Sequence, residues 1–481
     1  MGNYFFLQII TVVFLISIIT TLINRRVLGL PSAIGVPIVS AIFVFIIQWG
    51  VTLMSGNDYI NINITQIENA VRSIDFYDFL INGVICFILT ASALKVKTSD
   101  LREHISPVMI LASLSMVLCS FVYAGMMYLF QLMIGAEIPF IVLLLLGAAL
   151  GATDPIGIKG VLTSVKAPNH LMVKLESESL FNDAFCLVAF MTVLAVIKGS
   201  EFSFGGTLQL LGFEIVVAVI IGVFFGKSAL MLMKGKLDQE SLLMITAVLA
   251  TGSYLVALLA HASAPIACVI AGLIVGNKWD ELLKQSEIEE VNHFWHSIEG
   301  IINAFLFTLI GLELFILDLN PYLLLCGVAS FFVLHLSRFV GNFTSFAMFP
   351  KIWKNSMNGS LTILSWAGVR GGISLALILA VINLPELANY TSFLLGYVFI
   401  SVLMSGVVCG LGLPSVINAF YHNPVEPKTG FAGKYQQLCN MFNRKNFKYI
   451  VTHDKDGKEE ISIYNPDYDG TNSVKETENK F

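Results

Sequence analysis

Long apolar runs separated by short polar stretches divide most of this chain into candidate membrane helices. An apolar run needs about 20 residues to cross a bilayer as a helix. Hydropathy and helix-breaking residues give thirteen candidate spans, at 4–23, 32–49, 76–94, 107–134, 140–165, 174–197, 208–233, 241–260, 265–275, 297–317, 322–348, 357–382 and 391–413. The pattern predicts an all-α polytopic membrane protein with a transmembrane domain over residues 1–413 and a cytoplasmic C-terminal tail over residues 414–481.

Composition and charge agree with this division. Charged residues make up 13% of the 481 residues, against about 25% in a soluble domain. If the N-terminus lies outside, the predicted cytoplasmic loops carry 15 basic residues and the outer loops carry only Arg72 and Lys198. Positive charge collects on the cytoplasmic side of membrane proteins. We therefore expect about thirteen transmembrane helices in the cell (inner) membrane, with the N-terminus outside and the C-terminus in the cytoplasm.

Two of the predicted spans contain residues that interrupt a helix. The fifth span contains Gly151-Ala-Thr-Asp-Pro155, and the twelfth contains Gly368-Val-Arg-Gly-Gly372. Non-helical backbone is tolerated at membrane depth only against protein or a water-filled cavity. The two breaks lie seven spans apart, so the two segments cross the membrane in opposite senses. Paired broken helices in two inverted repeats mark the binding site of many transporters, and we expect the site here.

The sixth predicted span, 174–197, carries acidic and amide side chains at membrane depth. Asp183 lies roughly 13 Å into this helix, near the middle of the membrane. Glu178 and Asn182 share one helix face and Ser179 and Asp183 share the adjoining face, because each pair is four residues apart. A membrane carboxylate is costly unless it is paired or hydrated. This polar sector therefore predicts an ion or proton pathway.

The side chains near the first break suggest which ion. If the fifth and sixth spans cross near the midplane, freed carbonyls join Thr153, Ser179 and Asp183 in an all-oxygen site, and Asp154 lies in the break itself. Hard cations such as Na⁺ bind oxygen ligands. Because burial favours the neutral form of a carboxyl group, protons compete with a cation for it. A carboxylate that holds a proton or a cation, never both, meets the minimal requirement for exchange. We expect Asp183, Thr153 and Ser179 to bind Na⁺.

Three sequence blocks together resemble the monovalent cation:proton antiporters of the NhaP/NHE (sodium/proton exchanger) type. They are Gly151 to Pro155, Glu178-Ser-Leu-Phe-Asn182-Asp183, and Gly368 to Gly372. The resemblance covers residues 1–413 and does not reach the tail. It implies an NhaA-like antiporter fold with inverted repeats and two broken crossing helices, and a homodimer. It also implies alternating access by rocking of a core against a dimerising scaffold.

The resemblance also implies roles for individual residues. Asp183 resembles the family's ion- and proton-binding aspartate, and Asn182 is its neighbour. Thr153, Asp154 and Ser179 resemble further ligands or supports of the site, with Asp154 acting through its backbone or its side chain. An Asn-Asp pair at this place, rather than Asp-Asp, is similar to the electroneutral members, which implies one proton per cation.

We also interpret two arginines and two glutamates that lie within the predicted spans. Glu178 resembles a glutamate that pairs with an arginine, and Arg338 is the matching arginine. Arg370 resembles the cationic group that balances the ends of the broken helices. Glu176 has no place in the motif: it either lines an access funnel or is a hydrated residue near the end of the helix.

The leading hypothesis is a secondary active transporter, not an enzyme, that exchanges Na⁺ (or Li⁺ or K⁺) for H⁺. An ion channel is the alternative, and an intramembrane aspartyl protease is a weaker one. The expected partners are monovalent cations, protons and the lipid bilayer, with no nucleic acid. No cofactor is expected besides the transported Na⁺ and H⁺. The seven cysteines show neither metal-binding nor disulfide spacing and are interpreted as small hydrophobic residues. In the tail, two apolar stretches flanking Asp454-Lys-Asp-Gly457 predict a small β-hairpin.

Overall fold

The structure, a computed structural model, describes part of the chain in detail. The described residues are 5–53, 83–97, 105–154, 158–159, 162, 165, 167, 169–200, 204–235, 237–312, 320–350, 360–381, 384–421, 448–453 and 459–464. The first part of the predicted third span, 76–82, and most of the tail lie outside them.

The described residues up to Tyr421 form α-helices and short connections. In chain order they are α1 (Phe5–Ile23), α2 (Ser32–Leu53), α3 (Ile85–Lys95), α4 (Ile105–Ile110), α5 (Met116–Met133), α6 (Phe140–Ala149), α7 (Asn169–Ile197), α8 (Phe204–Leu232), α9 (Gln239–Leu259), α10 (Ala264–Lys278), α11 (Gln285–Leu312), α12 (Pro321–Met348), α13 (Ser360–Trp366), α14 (Gly372–Leu379), α15 (Thr391–Met404) and α16 (Leu411–Tyr421). Short π-helical turns at Asn24–Leu28, Leu111–Ser115 and Ser405–Gly410 extend α1, join α4 to α5 and join α15 to α16.

Each of the thirteen predicted spans contains at least one of these helices. Within the described residues, seven helical segments are long and apolar enough to cross a membrane, and three apolar helices are shorter. Large apolar side chains are exposed on the outward faces, at Leu15, Phe45, Leu129, Ile220 and Phe332, as expected of a surface that faces lipid. The protein is therefore a multi-pass membrane protein, and the total of thirteen spans stays a prediction.

One predicted boundary differs clearly from the structure. The tenth span was expected to begin at residue 297, whereas α11 begins at Gln285. Its first turns are amphipathic: Val291 and Trp295 are buried, while Glu289 and Glu290 are exposed. Hydropathy averaged over a window does not detect a helix whose polar face is so strongly charged.

Both predicted helix breaks are present. Helix α6 ends at Ala149, and the backbone of residues 151–154 is not helical; residues 368–371 separate α13 from α14 in the same way. The two breaks meet, since the Asp154 N–H donates to the Val369 carbonyl at 2.8 Å. At Gly371 an added Cβ would lie 2.8 Å from the Asp154 Cβ. Only glycine therefore permits this close crossing without a shift.

The helices pack as two groups. We call α1–α3 and α8–α11 the scaffold helices, and α4–α7 with α12–α16 the core helices, which include both breaks. Glycines bring scaffold helices together: an added Cβ at Gly276 of α10 would overlap the Leu94 carbonyl of α3, and one at Gly226 of α8 would lie 2.9 Å from Ile274 of α10.

The two strands of the predicted hairpin are present, and the predicted turn residues 454–457 lie outside the described residues. Strands β1 (Lys448–His453) and β2 (Glu459–Tyr464) are antiparallel, with Val451 opposite Ile461.

Candidate cation site

The site lies where α7 passes the break after α6. The backbone N–H of Thr153 donates to Oδ1 of Asp183 at 3.2 Å, and the Thr153 hydroxyl donates to the Ser179 hydroxyl at 2.9 Å. All three residues are buried. The break makes this possible, because Thr153 lies outside a helix and its N–H is available to the carboxylate.

Asn182 holds the same segment of backbone. Its side-chain amide donates to the Gly151 carbonyl at 2.7 Å and to the Thr153 hydroxyl oxygen at 3.2 Å. An ionised carboxylate could not make either bond, because it only accepts hydrogen bonds. Asn182 therefore supplies a hydrogen-bond donor to the Gly151 carbonyl, which has no helical partner because of the break.

Arg370 joins the two breaks. Its side chain donates to the carbonyls of Gly151 and Ala152, the latter at 3.2 Å, and its backbone N–H donates to the Ser405 hydroxyl at 3.0 Å. Ser374 also donates to the Ala152 carbonyl, at 3.4 Å. The carbonyls at the C-terminal end of α6 carry partial negative charge, so a buried guanidinium is well placed to offset it.

Glu178 and Arg338 form a buried ion pair between α7 and α12. The Arg338 guanidinium donates to both carboxylate oxygens of Glu178, at 3.0 and 3.1 Å, and also to the Leu364 carbonyl at 3.1 Å. Gly368 of the second break makes room for it, since an added Cβ there would lie 2.8 Å from the arginine side chain. The pair thus links α7, α12 and α13.

A small cavity adjoins the crossing, with room for about one water molecule. Thr153, Asp154 and Asp183 line it from the core helices. The scaffold side contributes Ser92 of α3 with Glu299 and Asn303 of α11. The cavity is therefore rich in the carboxylate and hydroxyl oxygens that hard monovalent cations prefer.

Glu299 is the charged residue of the cavity lining that the sequence did not lead us to predict. It lies inside the predicted tenth span, and it is four residues before Asn303, whose amide donates to its carbonyl at 2.9 Å. A glutamate within a membrane span is a signal of function by itself, and this signal could have identified it.

Glu176 does not line this cavity. Its carboxylate lies 3.1 Å from the ammonium of Lys159, and both side chains are partly exposed. The sequence left open whether Glu176 lines an access funnel or is a hydrated residue near the end of the helix. In the structure Glu176 forms an ion pair with Lys159 at the surface.

Comparison with known proteins identifies the class. The sequence profile of the family described as "Sodium/hydrogen exchanger, transmembrane" matches residues 10–415. The match spans more than half of the chain, and the chain therefore belongs to this family. The predicted resemblance to sodium/proton exchangers is confirmed.

Two individual relatives are named as Na⁺/H⁺ antiporters. The Na⁺/H⁺ antiporter NhaP of Pseudomonas aeruginosa is 32% identical over 431 residues, which cover 88% of this chain and 99% of that protein. The Na⁺/H⁺ antiporter NhaG of Bacillus atrophaeus is 31% identical over 353 residues, covering 70% of this chain and 63% of that protein.

Among solved structures, the sodium proton antiporter MjNhaP1 of Methanocaldococcus jannaschii matches with a TM-score of 0.65 and 19% identity, covering 86% of this chain and 99% of that one. At this identity the match shows a common fold, and the predicted antiporter fold is confirmed.

Proposed function

We propose that this protein is a secondary active antiporter that exchanges Na⁺ for H⁺ across the membrane, with Asp183 binding the cation and the proton in turn. The observation that carries the proposal is the position of Asp183, buried at the crossing of the two breaks and lining the small cavity. The relatives named as Na⁺/H⁺ antiporters support it. They favour a transporter over an ion channel and over an intramembrane aspartyl protease.

The cation would be held by oxygen atoms at the crossing of the two breaks. Ionised Asp183 supplies charge, and the hydroxyls of Thr153 and Ser179 supply further ligands, with Asp154 beside them in the cavity. Protonation of Asp183 removes the charge that holds the cation, so the two cargoes exclude each other. Arg370 donates to the Gly151 and Ala152 carbonyls beside the site, and its charge offsets part of the negative charge there.

The position of the cavity suggests how access alternates. Its walls come from core helices on one side and from α3 and α11 of the scaffold on the other. A rocking movement of the core helices against the scaffold helices would expose Asp183 first to one side of the membrane and then to the other, with Glu178 and Arg338 keeping the core together.

The proposed stoichiometry is one proton per cation. Asn182 donates hydrogen bonds to the break and carries no charge, which leaves Asp183 as the carboxylate that α7 presents to the cavity. The same proposal includes Li⁺ and K⁺ as further transported cations and a homodimeric assembly. It also places the protein in the cell membrane with the N-terminus outside. The distribution of basic residues supports the orientation.

The test uses purified protein in proteoliposomes that contain a pH-sensitive dye. Na⁺, Li⁺ or K⁺ is added outside with the membrane potential clamped, for the wild type, Asp183→Asn and a matched control, Asp238→Asn. Asp238 is an exposed carboxylate at the start of α9, bonded to the Ser241 hydroxyl at 2.5 Å. We expect internal alkalinisation in the wild type and the control, none in Asp183→Asn, and no dependence on the potential.

A different experimental outcome would contradict each part of the proposal. Exchange retained by Asp183→Asn with normal cation affinity would contradict the role of Asp183. A signal that varies with the clamped potential would contradict the one-to-one stoichiometry. The absence of signal with every cation in the wild type would contradict antiport and bring back the channel and protease hypotheses.

A further inference from the structure

A second charged group adjoins the cavity from the scaffold side. The Glu299 carboxylate accepts a hydrogen bond from the Ser92 hydroxyl at 3.0 Å through one oxygen and pairs with the Lys95 ammonium through the other. The side chain of Glu299 is 4% exposed, whereas that of Lys95 is 27% exposed. The lysine therefore extends from the surface toward a carboxylate that is itself nearly inaccessible.

The backbone around Lys95 is held by contacts with α10. Beyond the close contact of Gly276 with α3, the Asn277 amide donates to the Val96 carbonyl at 2.9 Å. Lys97, two residues after Lys95, lies 2.5 Å from Asp280. The contacts of Gly276 and Asn277 hold the end of α3 on α10, whereas the Lys97 pair is exposed and contributes little. The long side chain of Lys95 can therefore leave Glu299 without moving a helix.

The charges around the cavity explain why a lysine is present. Asp154, Asp183 and Glu299 all line this one small cavity, and their ionised forms repel one another strongly where solvent is scarce. A cation near Glu299 lowers that repulsion. The ammonium of Lys95 carries the same charge as the cargo and occupies the carboxylate that a cation would meet beside Asp183.

We propose that Glu299 is a transient binding station for the transported cation and that Lys95 is a tethered competitor, which occupies Glu299 when no cation is there. The inference rests on the proposed antiport and adds a second cation-handling residue to it. A cation entering the cavity replaces the ammonium at Glu299 and then passes to Asp183. Glu299 therefore lowers the KM for the cation, and Lys95 raises it and speeds release.

The experiment measures KM and kcat for Na⁺-driven proton flux in proteoliposomes. The variants are Glu299→Gln, Lys95→Gln, Lys95→Arg and the double variant Lys95→Gln/Glu299→Gln. Lys97→Gln is the matched control, because Lys97 is a lysine at the same helix end whose ion pair with Asp280 is exposed. Size-exclusion chromatography and the Tm in detergent establish that each variant is folded.

The proposal predicts opposite shifts for the two partners. Glu299→Gln should raise the KM for Na⁺ about tenfold, because one charge is lost from a largely desolvated site. Lys95→Gln should lower the KM and kcat together, whereas the double variant should match Glu299→Gln. Lys97→Gln should stay within about twofold of the wild type, since its ion pair is exposed. Lys95→Arg keeps the charge and should therefore shift the KM less than Lys95→Gln does.

Two results would overturn it. The first is an unchanged KM for Na⁺ in both Glu299→Gln and Lys95→Gln. The second is a higher KM in both variants together with equal losses of Tm, which would show that the ion pair is a structural contact only. Na⁺-dependent thermal stabilisation in detergent gives a readout that needs no transport. A stabilisation that weakens in Glu299→Gln supports the station even if flux is absent, so failure of the antiport proposal is distinguishable from failure of this one.

Discussion

The crossing of the two breaks and the packing of α8 on α10 use glycine in opposite ways. In the scaffold, Gly222 and Gly226 let two intact helices approach, with Ala267, Ile270 and Ile274 filling the space. At the crossing, glycines accompany backbone that has left the helix. Its polar groups are then satisfied by side chains from elsewhere, including Asn182 on Gly151 and Ser405 on Arg370.

This difference indicates which regions of the fold are most sensitive to substitution. Apolar helix packing loses stability gradually as contacts are removed, whereas a buried polar network leaves costly unpaired groups when one member is lost. We therefore expect substitutions at the crossing to affect both stability and exchange, and substitutions in the scaffold packing to affect stability alone.

The largest effect on stability should come from the buried ion pair. Glu178→Ala or Arg338→Ala should each lower the free energy of unfolding by roughly 3–5 kcal/mol, because the partner is left as a buried unpaired charge. The double variant should lose less than the two single losses combined. Thermal and chemical denaturation in detergent measure this, and a single variant as stable as the wild type would contradict the pairing.

Gly371→Ala tests the crossing directly. The new methyl group would lie 2.8 Å from the Asp154 Cβ, and overpacking of this kind costs about 1–3 kcal/mol. Because it displaces the segment that carries Asp154, the exchange rate should fall as well. Gly125→Ala in α5, where an added Cβ meets nothing within 4 Å, is the control. Equal behaviour of the two variants would refute the close crossing.

Gly226→Ala tests the scaffold half of the comparison. The added methyl group would lie 2.9 Å from the Ile274 Cβ and 3.2 Å from the Ala271 carbonyl. We expect a loss of about 1 kcal/mol, near the lower end for overpacking, with the KM for Na⁺ unchanged in proteoliposomes. A change in KM without a change in Tm would show that this packing is coupled to the site.

The smallest effect should come from Glu176. Its pair with Lys159 is partly exposed, and such pairs contribute about 0–1 kcal/mol because solvent screens them. Glu176→Gln should leave Tm nearly unchanged and shift the KM for Na⁺ by less than twofold at high ionic strength. A large loss of exchange would instead assign Glu176 to the cation pathway.

Much of the architecture could be predicted because it depends on local sequence. Apolar run lengths located a helix in every predicted span, and Gly, Pro and polar residues located both breaks. Helical periodicity placed Ser179, Asn182 and Asp183 on adjoining faces, and in the structure Ser179 and Asp183 contact the same residue, Thr153. Glu178 and Arg338 were matched by family resemblance rather than by periodicity.

Local sequence patterns were therefore sufficient to predict the all-α membrane fold, the two breaks and the polar face of α7. The contacts of Arg370 with carbonyls of the opposite break, and of Lys95 with Glu299, 204 positions away in the chain, became evident from helix packing alone. The physical reason is that hydropathy and periodicity report a helix's own faces. Which charges become neighbours, and which of them are buried, depends on how separate helices pack against one another.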